Sequence, residues 1–156
     1  MLKILQNIEE AEKIIKKTNH LLYVTYPFVK DKRLLLKIIL ELKQAISKNI
    51  NAILQYEHIR QRISLTSNSK SNFEIFETQC AKKYSITNEE IEQILELFLT
   101  VKKHKDSSVE FLKDEKLVML GENQNPTYLQ IEKIKEFQTL AIKILEKTKN
   151  SLKTKA

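Results

Sequence analysis

Apolar and polar positions separate most cleanly between Asp31 and Ile63, where no Pro, Gly or turn cluster interrupts the chain. Leu35, Ile39, Leu42, Ile46, Ile50 and Ile53 recur by threes and fours, flanked by Leu34, Ile38, Ala45, Ala52, Ile59 and Ile63. That spacing draws one apolar stripe along a helix about 50 Å long, at roughly 1.5 Å per residue. Lys37, Glu41, Gln44, Lys48, Asn51, Gln55, His58 and Arg62 trace a polar line on the other side. Mixed residue types of both charge signs suit a solvated face. Asp31 is the expected N-cap, because its carboxylate can accept from the free amides of the first turn.

The remaining pattern predicts shorter elements around this helix. Ile4, Ile8, Ala11, Ile15 and Leu22 share one face of a first helix running from Leu2 to about Thr25. Pro27 disfavours helix at Tyr26, so a corner is expected at Tyr26-Pro27-Phe28, with the first two helices antiparallel. Residues 64–72, SLTSNSKSN, are small and polar and read as a flexible linker. Phe73 to Tyr84 reads as a short helix. Thr87-Asn88-Glu89-Glu90 has the spacing of a capping box that starts a helix at Asn88, with Ile91, Ile94, Leu95, Phe98 and Val101 as its expected buried face.

The stretch 106–125 is the least helical. Val109 and Phe111 alternate with charge, and Leu117-Val118-Met119-Leu120 is a short apolar run, so a small β-hairpin is expected over 109–120. Asn125-Pro126-Thr127 is expected to open a final helix with Ile131, Ile134, Phe137, Ala141 and Leu145 as its stripe. The basic tail 147–156 is expected to fray. Together these elements predict one helical domain over 1–156: a mainly α, up-and-down bundle of about five helices carrying one small hairpin.

Composition supports that class. The 156 residues include one Gly and two Pro, few for a strand-rich or α/β protein, and 42% are hydrophobic against 30% charged. The net charge is +7 at pH 7. Such a balance suits an acidic partner, nucleic acid included. Arg33, Arg60 and Arg62 are the only arginines; the other basic residues are lysines, which supply diffuse charge rather than a phosphate-reading fork. Cys80 is the single cysteine, so no disulfide forms within the chain. The N-terminal residues lack a signal-peptide pattern and no apolar run reaches a membrane span, which makes a cytoplasmic protein the expectation.

Most catalytic chemistries find no residues here. Phosphate-cradling loops and nucleophile elbows need several glycines, and Gly121 stands alone. His20, His58, His104 and Cys80 fall in no ligand spacing. Positions 17, 55 and 101 hold Lys, Gln and Val, so no Glu-x-x-His pair exists. No metal, no cofactor and no catalytic residue is expected. A basic single-domain bundle of four or five helices resembles the HEPN superfamily in architecture, a group that includes nucleases and non-catalytic partners of nucleotidyltransferases. Its catalytic members carry an Arg followed a few residues later by His. None of the three arginines here is so followed, and His58-Ile59-Arg60 reverses the order, so no residue is carried over.

Two surfaces remain as candidate contacts for nucleic acid or a partner. One is the first corner, where Tyr26 precedes Lys30, Lys32 and Arg33; the other is His58, Arg60 and Arg62 at the far end of the long helix. Aromatic rings beside cations can stack bases and neutralise phosphates, although such rings at a Pro-containing corner more often seal a core edge. The leading expectation is a non-enzymatic interaction protein, an accessory subunit or homodimer. A basic RNA- or ribosome-associated protein comes second, and a HEPN-like bundle lacking the catalytic motif third.

Overall fold

A computed structural model describes residues 1–122 and 125–155, which form five helices and a three-stranded antiparallel sheet. Helix α1 spans Leu2–His20, α2 Lys32–Ile59, α3 Ser69–Ile75, α4 Asn88–Asp106 and α5 Ile131–Lys155. Strands β1 Ser107–Lys113, β2 Lys116–Gly121 and β3 Thr127–Gln130 lie in the order β1-β2-β3. The protein is mainly α, with its sheet between the fourth and fifth helices.

The long helix α2 is the axis of the core. Leu35, Ile38, Ile39, Leu42, Ala45, Ile46, Ala52 and Ile53 are fully enclosed, and they meet Ile4, Ile8, Ala11 and Ile15 of α1 and Ile134, Phe137, Ala141 and Ile144 of α5 in one cluster. Burying each large side chain contributes about 1.5–3 kcal/mol. Two ion pairs bind part of the polar line of α2 to α1: Lys17 Nζ lies 2.8 Å from Glu41 and Lys48 Nζ 2.5 Å from Glu10. One buried polar knot ties α1 to α5. Thr18 Oγ1 donates to Gln138 Oε1 at 2.8 Å, and Gln138 Nε2 donates to the Ile15 carbonyl at 3.0 Å. Burial without such partners would cost each group on the order of 1–3 kcal/mol.

The first corner falls later than Pro27. After α1 the chain widens into a π turn over Leu21–Thr25, in which the Tyr26 amide donates to the Leu21 carbonyl, and a helical turn Tyr26–Val29 follows. The wider turn lets Pro27 stand at the start of a new turn, where its missing N–H is tolerated. The chain turns instead at Lys30, which takes a left-handed conformation at φ 50°. Asp31 then caps α2 by accepting from the Arg33 amide at 2.9 Å.

Half of the expected linker is helix. Asn68 accepts from the amides of Lys70 and Ser71 and starts α3 at Ser69, while the Asn72 side chain holds Thr66 by three hydrogen bonds. Residues 64–72 therefore form a bonded, capped turn. The helix continues through a π turn Phe76–Cys80 and a 3-10 turn Ala81–Tyr84, and the Cys80 thiol is buried. Thr87 caps α4 in the expected reciprocal box, with Glu90 returning to the Thr87 amide at 2.9 Å.

The hairpin of β1 and β2 turns on Asp114 and Glu115, both left-handed at φ 49° and 62°. The expectation that Asn125-Pro126-Thr127 opens the last helix is corrected: Thr127–Gln130 pairs with β2, and α5 begins at Ile131. Pairing gives β2 a neighbour on both edges. Leu117 and Met119 join the core with Leu129, while Val118 is covered on the outer face by its cross-strand neighbours Phe111 and Tyr128. The tail from Lys147, expected to fray, is helix as far as Lys155, with Thr148 and Leu152 buried against the bundle; Ala156 lies outside the described residues.

Candidate functional site

The seven residues singled out from the sequence fall into two groups at opposite ends of α2. Arg33 and His58 are separated by about 38 Å of helix at roughly 1.5 Å per residue. The structure therefore joins them into no single surface. At the first corner Tyr26 is buried, and burial together with the nearby charge of Glu115 pushes its phenol upward. Lys30 is exposed. Lys32 Nζ donates to the Glu110 carbonyl of β1 at 2.6 Å. Arg33 grips Asp31 through Nε and Nη2, at 3.0 and 2.7 Å to Oδ2, and this guanidinium holds the Asp31 carboxyl below its usual range.

At the far end, the helix terminus itself uses the cations. Gln61 is left-handed at φ 60°, its amide donates to the His58 carbonyl, and the Arg62 amide donates to the Glu57 carbonyl at 3.0 Å. This is the double bond pattern of a Schellman terminus, with Gln where Gly is usual. Arg62 Nη1 then lies 2.8 Å from Oε2 of Glu57, a fully buried carboxylate, and Lys83 Nζ stands 3.8 Å from Oε1. Tyr84 is buried nearby, and burial with the charge of Glu57 pushes its phenol strongly upward. Arg60 sits over the Tyr56 ring at 5.4 Å, and the His58 Nδ1 is 3.4 Å from the Ile63 carbonyl. Lys32, Arg33 and Arg62 thus all serve bonds within the protein.

A different surface emerges where α2, α3 and α4 meet. Ile50 and Leu54 of α2 floor an open groove of about 460 Å³, walled by Phe73 of α3 and by Leu95 and Phe98 of α4. Phe73 meets Phe98 edge-on, with ring centroids 5.9 Å apart. The rim carries Lys43, whose ammonium lies 5.6 Å from the Phe98 ring centroid, together with Ser47, Asn51, Lys70 and Asn72. No carboxylate lines it.

Helix α4 makes this groove because it carries more apolar residues than one contact needs. Ile91, Ile94, Leu97 and Val101 face the core, so Leu95, expected in the core, is 44% exposed, Phe98 is half-buried and Leu99 is 52% exposed. Sequence reasoning named none of Lys43, Lys70 or Phe73 as a contact. The available signal was the width of the apolar arc on α4, which exceeds a single packing stripe.

Elsewhere, among the described residues, no three His, Cys, Asp or Glu side chains gather as a metal ion would require. His104 is instead taken up by Glu110, its Nδ1 2.7 Å from Oε2. No described helix is long and apolar enough to cross a membrane. What the fold and the groove define is a mainly α bundle with a small antiparallel sheet and one open, apolar, lysine-rimmed cleft. No protein family, curated protein or solved structure matches this chain.

Proposed function

We propose that this chain is a non-enzymatic interaction protein that docks a protein partner, or a second copy of itself, through the groove between α2, α3 and α4. The observation that carries the reading is the leftover apolar surface on α4, where Leu95 stays 44% exposed beside the half-buried Phe98 on the groove wall. Apolar side chains gathered on a cleft wall and rimmed by polar groups mark a contact site more often than a random surface. The groove offers no cluster of titratable groups suited to proton transfer or nucleophilic attack. A single buried cysteine, with no second in the chain to form a disulfide, fits work in the reducing cytoplasm.

Photo-crosslinking tests this directly. A benzoylphenylalanine placed at Leu95 in the native cells is expected to trap one discrete protein, which the same group at exposed Glu9 does not trap. Equal, diffuse labelling from both positions would defeat the reading.

The second reading, an RNA- or ribosome-associated protein, is supported by the net charge of +7. A sizing column run at low and high salt with 260 nm detection separates it. Co-purifying nucleic acid that salt strips away would promote it over docking.

A further inference from the structure

Resting on the docking reading, we infer that the occupant of the groove is an acidic amphipathic helix of a protein partner. The walls decide the backbone form. They are helices, whose main-chain groups are bonded internally, so no free strand edge is available to an extended peptide. A partner lying here must satisfy its own backbone bonds, and a helix does so while laying one apolar face into the cleft.

The floor and rim decide the side chains. Ile50, Leu54, Phe73 and Phe98 would accept Leu- or Phe-sized groups recurring every three or four residues. The rim is cationic at Lys43 and Lys70 with no carboxylate in the lining, so residues flanking the apolar stripe would be Asp or Glu. The nearest acids on α4, Glu92 and Glu96, do not line the groove, and Glu96 is held by Lys133 at 3.0 Å. Two lysines beside an apolar floor give nucleic acid neither a phosphate track nor an open stacking face. Apolar exposure continues beyond the groove to Leu40, one turn before Lys43 on α2, while Leu99 belongs to a separate depression beside β3 and α5. From Leu40 to Leu54 the contact line is about 21 Å long, which asks for a helix of roughly four turns rather than a small anion.

The test uses the full chain and three probes: a synthetic helix of about four turns with Leu on one face and Glu on the flanks, the same peptide with Lys for Glu, and laurate. Calorimetric titration at low salt, with amide shifts read by NMR, is expected to show the acidic peptide binding about tenfold tighter than the basic one, with shifts centred on Phe73, Leu95 and Phe98. Lys43→Glu with Lys70→Glu is expected to reverse that preference, and Lys70→Glu alone, at an exposed position, to reduce it. Equal affinity for both peptides, a preference unmoved by the variants, laurate displacing the acidic peptide at equal concentration, or self-association that the peptides do not compete with would each overturn the inference. A discrete partner crosslinked at Leu95 alongside any of these results would leave the docking reading standing and the acidic helix wrong. No crosslinked partner would remove both.

Discussion

The ammonium of Lys32, at the start of α2, donates 2.6 Å to the main-chain carbonyl of Glu110, 78 residues further along the chain. Glu110 faces Met119 in the β1–β2 pair, and β1 is an edge strand with no strand on its other side. Lys32 therefore fastens the sheet to the first corner and blunts an edge that would otherwise offer free carbonyls to another chain. Lys32→Met keeps the aliphatic stem and removes the donor. It is expected to cost about 1–2 kcal/mol and to speed amide exchange in β1 selectively. Unchanged exchange in β1 would show that the bond does not hold the edge.

Glu57 is wholly buried, so it is the member of its ion pair that suffers most when a partner is lost. Arg62→Ala would leave the buried carboxylate to Lys83, 3.8 Å away, and is expected to cost about 3–5 kcal/mol. Glu57→Gln keeps the side-chain volume and leaves Arg62 and Lys83, 40% and 49% exposed, to water, and should cost less, about 1–2 kcal/mol. Denaturant titration of both single variants and the double variant checks the ranking. A loss on Glu57→Gln as large as that on Arg62→Ala would mean that the stranded charge carries no cost.

Among the described residues, four turns use five left-handed residues other than glycine: Lys30, Gln61, Ser85 and, together in the hairpin turn, Asp114 and Glu115. Side chains with a Cβ are strained there by about 1–2 kcal/mol, although glycine returns part of that through a freer unfolded chain. Gln61→Gly is expected to raise stability by about 0.5–1 kcal/mol. Asp114→Asn with Glu115→Gly should do the same at the two-residue hairpin turn, where Asn-Gly is the favoured pair. A higher urea midpoint with an unchanged slope is the signature; a lower midpoint would mean that the native side chains make contacts worth more than the strain.

Acid sensitivity should centre on Glu90. Burial pushes its carboxyl up, but the Lys147 ammonium and the Thr87 amide outweigh burial, and the net direction is downward. A folded value below the unfolded one, roughly 4.3, means stability is fully present above that pH and drains away as pH falls through the folded value. The urea midpoint of the protein should drop below about pH 4.3, and Glu90→Gln should flatten that drop while lowering the plateau. Parallel curves for the two proteins across pH 3–5, roughly the window spanning the carboxylates, would assign acid loss elsewhere.

Much of the fold was legible along the chain. The stripe of Leu35, Ile39, Leu42 and Ile46, the Asp31 cap, the Thr87 box and the hairpin near 109–120 all rest on local spacing, and each is where that spacing puts it. The missed turns share a cause. Sequence reading looks for Gly and Pro, yet this chain turns on Lys30 and Gln61 and keeps Pro27 inside a helix by widening the preceding turn. The candidate groove was less visible, because Leu95 and Phe98 carry the same apolar label as Leu97 and only packing distributes them between core and cleft.

The sequence by itself determined the helical class, the start and inner face of the central helix and the caps at Asp31 and Thr87, because periodicity and capping act over a few neighbouring residues; the central helix ends at Ile59, before the expected Ile63. Tertiary structure decided what depends on distant partners. It made Thr127–Gln130 a strand by offering it the open edge of β2, kept 147–152 helical by burying Thr148 and Leu152, and gave Lys32 the carbonyl of Glu110 and Lys147 the carboxylate of Glu90. A strand needs another strand, a helix end needs a surface, and a charge finds its counter-ion in space; none of these partners stands within the local window that a pattern can read.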